Sequence, residues 1–332
     1  MRTIGLTGVA VAAIAVLGSS STALAAPAAS SPAHTVFTEP GDHWQSVYDA
    51  IGSARSTLDL TMYELVDTTA RDDLVADAGR GVKVRVILDH QREAKHNQAA
   101  YTYLNAHGVP TVWAPEEFEA THQKTLTVDG RTSVILSGNL TSRYYATGRD
   151  FGVVDRDGAD VSAIEKVFDA DFAGDEITPP TGDDLVWSPT NSQSALLKLI
   201  DSATTSLAVE NEEMALPAVV DALTAAAGRG VAVKVTMTYN SSYRDNFDTL
   251  VDAGVQVGTY ANTKKSLYIH AKVIVADYGK PSARVFVGSE NFSHASLTGN
   301  RELGLITSDP AVLDPVDSTV EGDFAGARPW TD

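Results

Sequence analysis

The chain repeats itself once, and that constrains its fold more than any other feature. Ala78-Gly79-Arg80-Gly81-Val82-Lys83-Val84 returns as Ala227-Gly228-Arg229-Gly230-Val231-Ala232-Val233, and Asp171-Phe172-Ala173-Gly174 returns as Asp323-Phe324-Ala325-Gly326. The offset stays near 150 residues in a chain of 332. A duplicated unit must build the same elements twice, so a motif found in one copy has to be sought in the other. Between the copies, Asp175 to Gln193 carries Pro179-Pro180 and a Gly182-Asp183-Asp184 turn signal and reads as a linker. The halves are therefore expected at residues 42–174 and 194–328.

Helical and strand periodicities alternate within each half. Trp44, Val47, Tyr48 and Ile51 follow helical spacing behind Asp42, as do Leu196, Leu197 and Ile200 in the second copy. Leu58, Leu60 and Met62 alternate as a strand, and so do Val82, Val84, Val86 and Leu88. Strand, helix, strand is an α/β layered pattern. It predicts two pseudo-symmetric α/β/α halves packed together.

One motif with side chains suited to chemistry occurs in both copies: His122-x-Lys124-x(4)-Asp129 and His270-x-Lys272-x(4)-Asp277. A period of two puts His and Lys on one face of a strand, so each half offers an imidazole beside an ammonium. Asp129-Gly130 marks a turn, and Asp is a good turn former, which gives Asp129 and Asp277 a supporting part. Downstream come Ser137-Gly138-Asn139 and Ser289-Glu290-Asn291. Eleven residues past each Asn lies a carboxylate, Asp150 in Arg149-Asp150-Phe151-Gly152 and Glu302 in Arg301-Glu302-Leu303-Gly304.

This ordered set resembles the phospholipase D superfamily, with both copies of its His-x-Lys-x(4)-Asp signature intact. The resemblance covers nearly all of residues 42–326. It implies one active site at the interface of the halves and hydrolysis of a phosphodiester, with transfer to an alcohol also open. An anionic diester must be neutralised, attacked at phosphorus and relieved of its leaving oxygen. Lys124, Lys272, Asn139 and Asn291 suit the first task, and one imidazole can attack to give a phosphohistidine while the other donates and accepts protons. The resemblance makes Asp150 and Glu302 the groups that orient the histidines, and in several relatives the first-motif histidine is the nucleophile, here His122. The longer reach of Glu302 suggests that it crosses to His122 and leaves Asp150 for His270. Ser137 and Ser289 support the motifs.

No cofactor is implied. His and carboxylate residues show no metal-site spacing, and the two lysines can do a metal's electrostatic work. The remaining histidines, His34, His43, His90, His96, His107 and His294, read as structural or solvated. Glu64 and Glu213 occupy corresponding places and can border the cleft or form buried ion pairs.

The substrate is less constrained. The family includes phospholipases, phospholipid synthases and nucleases, and fold does not choose among them. Residues 1–25 have the form of a cleaved leader, with Arg2, an apolar run from Ile4 to Leu17 and Ala23-Leu24-Ala25, and residues 26–41 read as a flexible lead-in. The apolar run is shorter than the roughly 20 residues of a spanning helix. A secreted, extracellular protein follows, one without cysteines to staple it. Losing Arg2 leaves 24 basic against 43 acidic residues, a balance of −19. Such a charge disfavours long nucleic acid and favours a phospholipid, met by transient membrane-surface contact. Tyr144, Tyr145, Phe292, Tyr268, Trp113 and Phe118 flank the motifs and are candidates for an apolar entrance for lipid chains or for stacking faces presented to bases. Arg143, Arg149, Arg244, Arg301, Lys264 and Lys265 are the basic residues that a nuclease would need. A monomer is expected; a metal-independent nuclease and an inactive binding protein are the alternatives.

Overall fold

A computed structural model of the chain describes residues 1–5, 8 and 32–331. The expected leader and residues 26–31 fall almost wholly outside the described residues. The first half runs β1 (His34–Glu39), α1 (Gln45–Ser53), β2 (Thr57–Met62), α2 (Thr68–Gly79), β3 (Lys83–Leu88), α3 (Ala94–Ala106), β4 (Thr111–Trp113), β5 (Thr125–Val128), β6 (Thr132–Leu136), β7 (Gly148–Asp155) and α4 (Gly158–Ala173). The second runs β8 (Leu185–Ser188), α5 (Ser192–Ser202), β9 (Ser206–Glu210), α6 (Pro217–Gly228), β10 (Ala232–Thr238), α7 (Arg244–Asp252), β11 (Gln256–Tyr260), β12 (Tyr268–Ile269), β13 (Val273–Ala276), β14 (Arg284–Gly288), α8 (His294–Thr298), β15 (Glu302–Thr307), α9 (Pro310–Gly326) and β16 (Arg328–Pro329).

The strand order is β1-β7-β6-β5-β2-β3-β4 in one sheet and β16-β11-β10-β9-β13-β14-β15-β8 in the other. Apart from β16, the second order is the first read backwards, so the duplication holds at the level of topology. In each sheet the three strands linked through helices, β2-β3-β4 and β9-β10-β11, are parallel. The hairpin strands β5-β6-β7 and β13-β14-β15 are antiparallel. Parallel neighbours need a crossover and antiparallel ones need only a turn, which is what the alternating and contiguous stretches of sequence supply.

Two boundaries differ from the sequence expectation for the same reason. His34–Glu39, assigned to the flexible lead-in, is β1 and pairs along its whole length with β7. Leu185–Ser188, assigned to the linker, is β8 and pairs with β15. Both are short edge strands whose alternation is masked by nearby Pro and Gly, and pairing with a long neighbour decides them rather than local composition. Phe37 of β1 lies so close over Gly152 of β7 that a Cβ there would sit 2.0 Å from the ring. A glycine is therefore required at that point. At the other end, β16 extends past residue 328 to pair with β11.

Each sheet packs its own helices against one face: Val47, Ile51 and Leu74 in the first half, Leu196, Ile200, Val219 and Leu223 in the second. A further core is shared. Ile135, Phe151, Ile164 and Val167 from the first half pack with Val273, Val285, Leu305 and Val316 from the second. Burial of this kind is worth roughly 1.5–3 kcal/mol per large side chain, so neither half keeps its surface dry alone. Among the described residues no helix is long and apolar enough to cross a membrane.

Candidate active site

The motifs meet because each half lends backbone to the other. His122 N and Gln123 N donate to Arg301 O, both at 2.9 Å, and His270 N donates to Arg149 O at 3.1 Å. Alongside, β12 pairs in parallel with β7 across the halves, and Thr121 bridges to Arg301. The residue preceding each candidate acid thus receives the opposite half's histidine segment. The two arginines are then locked across the same interface, Arg301 to Asp171 with two bonds of 3.0 Å and Arg149 to Asp323. Asp171 and Asp323 head the repeated Asp-Phe-Ala-Gly segment, whose purpose the sequence alone did not disclose.

The acids follow. Glu302 Oε2 is 2.7 Å from His122 Nδ1, and Asp150 Oδ1 is 2.8 Å from His270 Nδ1. Both pairs cross between halves, the arrangement that the reach of Glu302 suggested. Ser137 Oγ donates to Asp150 at 2.7 Å; Ser296 Oγ and Asn300 Nδ2 donate to Glu302 at 2.6 and 3.0 Å. Ser289 does not touch Glu302 and instead accepts from Leu303 N at 3.2 Å. Ser296, in α8, and Asn300 were missed because their counterparts in the first half are Tyr144 and Gly148, so comparison of the halves does not mark them.

Lys124 and Lys272 are fully buried at the start of β5 and β13. Lys124 Nζ donates to His122 O at 2.5 Å, and Lys272 Nζ donates to His270 O. Burial, and then the charge of Lys272, push Lys124 down to about 7. Burial also lowers His122, against the pull of Glu302 and with the push of Lys124 and Lys272. Burial would raise both acids, but His122 and Lys124 hold Glu302 below its ordinary value, and His270, Lys272 and Ser137 do so for Asp150. Charges from both halves act on each group, so the four side chains and two acids form one electrostatic unit.

The asparagines differ. Asn291 is buried with Nδ2 3.3 Å from Glu212 Oε2, whereas Asn139 lines a narrow crevice with Trp44, Tyr144, Tyr145, Tyr268 and His270. The Oδ1 atom of each is buried without a protein partner. Asp129 and Asp277 lie at the far ends of β5 and β13. Asp129 accepts from the backbone N–H of Arg55, Ser56 and Thr57, and Asp277 from those of Thr204, Thr205 and Ser206.

A family model described as the cardiolipin synthase, phospholipase D-like domain matches residues 47–172 and 196–324, one segment in each half. The chain belongs to this phospholipase D-like family. Its members act on phosphodiesters, and in this chain two intact motif copies meet in one place. Among solved structures, the phosphatidylserine synthase of Haemophilus influenzae Rd KW20 is similar over 90% of this chain and 87% of its own, at 11% identity and a TM-score of 0.69. The polyphosphate kinase of Porphyromonas gingivalis is similar over 87% of this chain at 16% identity and a TM-score of 0.66, and this chain spans 50% of its length. The phospholipase D family member Nuc of Salmonella typhimurium is 25% identical over 45% of this chain and 97% of its own, with a TM-score of 0.40. The likenesses to the synthase and the kinase agree on the fold. No curated protein sequence matches the chain.

Several flanking residues of this phospholipase D-like chain lie elsewhere than expected. Phe292 is fully buried in the second-half core, and Phe118 is buried beneath the Arg301 guanidinium, 4.2 Å from its ring centre, so neither lines an entrance. Trp113 stacks on Tyr101 at 4.2 Å. Tyr144 is exposed and stacks on Tyr268 at 6.0 Å, beside His270. Arg143 is committed to Glu64 at 2.9 Å, and Arg244 lies 3.9 Å from Asp248. Glu64 also comes within 4.8 Å of Glu93 and His96, as His34 does of Asp160 and Asp184. These two groups, assembled by folding from distant residues, contain no motif residue. The carboxylate at the heart of the site is Glu212, next to the Glu213 that the alignment of the halves singled out.

Proposed function

We propose that the chain is a phospholipase D-type hydrolase that splits phospholipid head groups from phosphatidate through a phosphohistidine on His122. The observation that carries this is the crossed pairing. Each Nδ1 is engaged by a carboxylate of the opposite half, which leaves Nε2 of each ring as the reactive atom. His122 Nε2 attacks phosphorus, and the leaving alcohol takes a proton from His270 Nε2 as the P–O bond breaks. Water, giving its proton to His270, then attacks phosphorus and frees His122. An alcohol in place of water gives transfer. Lys124, Lys272 and the two asparagine amides stabilise the equatorial oxygens, so turnover of a soluble diester should survive a chelator.

A lipid is favoured over nucleic acid by the surroundings. Arg149 and Arg301 are spent on Asp323 and Asp171, and Arg143 on Glu64, leaving Lys264 and Lys265 exposed on one loop. Phosphate tracks need several such cations. Exposed Tyr144 with Tyr268, Trp44 and Tyr145 offers acyl chains an aromatic crevice instead. The leader fits secretion, with action as a monomer on a membrane surface. Purified protein should hydrolyse phosphatidylcholine vesicles faster than single-stranded DNA, with His122→Ala inactive on both. Cleavage of DNA alone would replace this reading with a nuclease.

A further inference from the structure

Beside the two histidines the halves of the site differ by a charge. Beside His122 and Lys124 stands Tyr63, its ring 4.6 Å from the imidazole and 5.0 Å from Lys124 Nζ. The corresponding residue in the other half is Glu212. Its Oε2 lies 3.4 Å from His270 Nε2, 3.3 Å from Lys272 Nζ and 3.3 Å from Asn291 Nδ2. One oxygen therefore sits at the focus of the three groups that would receive a phosphoryl oxygen. Tyr268 OH fixes the other carboxylate oxygen at 2.5 Å.

From this geometry we infer that Glu212 is an internal ligand of the phosphate site, which an incoming oxyanion must displace, and that it selects singly charged diesters over doubly charged monoesters. The inference rests on the phosphodiesterase reading above and deepens it. His270, Lys272 and Tyr268 overcome the effect of burial and keep Glu212 ionised far below the ordinary carboxyl range. A diester brings one negative charge to this carboxylate, whereas a phosphate monoester brings about −1.5 to −2 near neutrality. Like charge at close range weighs against the second negative charge more than the first. The cleaved lipid is such a monoester, so Glu212 favours substrate over product. The carboxylate has somewhere to go: it lines an open pocket with Thr238, Asn240 and Asn262, which Glu213 also borders.

The test is calorimetric titration of the full chain with inorganic phosphate and with dimethyl phosphate, at about pH 7.5, where a monoester is largely dianionic. Glu212→Gln should bind inorganic phosphate about tenfold more tightly than the wild type and dimethyl phosphate only two- to threefold more tightly. Tyr268→Phe, which keeps the ring and frees the carboxylate, should shift phosphate binding the same way by a smaller factor, and it carries the test if Glu212→Gln fails to fold. Unchanged or weaker phosphate binding in the folded variant overturns the inference, and so does an equal gain for both anions. Phosphate gains of the expected size in a protein that hydrolyses no phosphodiester would sink the hydrolase reading and leave Glu212 as the ligand of an anion site.

Discussion

Replacing Asp277 with Ala separates what the motif's aspartate does from what its histidine and lysine do. Asp277 is buried and gathers the backbone N–H groups of Thr204, Thr205 and Ser206 at 2.9, 2.7 and 3.3 Å, with the hydroxyls of Thr204, Thr205 and Ser282 at 2.8, 2.9 and 3.0 Å. It ties the end of α5 to the β13–β14 turn. Five residues along the strand, roughly 16 Å, separate it from Lys272. Hydrogen bonds to a charged acceptor contribute about 1.5–3 kcal/mol each, and three orphaned amides in a shared network do not add in full, so a loss near 4 kcal/mol is expected. Its φ of 54° also sits in the left-handed region, which Asn tolerates better than Ala. Asp277→Asn should therefore cost only about half as much. For a fold of this size the Ala variant should melt about 6 °C lower by calorimetry. At a temperature where both stay folded, kcat/KM should lie within twofold of the wild type. A melting point within 2 °C of the wild type with activity down a hundredfold would refute the reasoning and put Asp277 in the chemistry.

Other consequences are open to measurement. Lys124, pushed to about 7, must be protonated in the free enzyme to bind an anion, so kcat/KM should fall as pH rises through about 7. On a diester with a good leaving group, which needs no acid, Lys124→Arg should remove that limb even if it lowers the rate. Glu39, raised by burial to about 7, contributes stability that is full below 4.5 and lost as pH rises to 7. Glu39→Gln should accordingly be more stable than the wild type at pH 8 by about 2 kcal/mol in urea titrations and no more stable at pH 4. Residues 34–178 and 184–332 expressed apart should each be inactive, because each histidine then lacks its acid and the shared core is exposed; activity in either piece alone would contradict a composite site.

Much of this was legible because duplication doubles a weak signal. The pairs His122/Lys124 and His270/Lys272 and the acids Asp150 and Glu302 stand at matching places in both halves, and strand periodicity and side-chain reach suffice to bring them together. The edge strands β1 and β8 were not legible, since pairing partners rather than local pattern define them. Phe292 looked like part of an entrance because it follows Asn291, but the backbone turns there and sends it into the core. Glu212 escaped notice for the opposite reason. Its counterpart is Tyr63, so comparison of the halves marked neighbouring Glu213 and passed over a position where the halves differ in charge.

The central claim, that a single site divides attack and proton transfer between two histidines, is tested most directly by trapping the intermediate. A phosphodiester with a good leaving group needs no acid for the first step, so His270→Ala should form a phosphohistidine and release it slowly for want of a base. Mass spectrometry of the quenched protein should find the phosphoryl group on the peptide containing His122, and His122→Ala should carry none. A label on the His270 peptide would contradict the assignment of the nucleophile. No label in any variant, with wild-type turnover intact, would contradict the covalent mechanism itself.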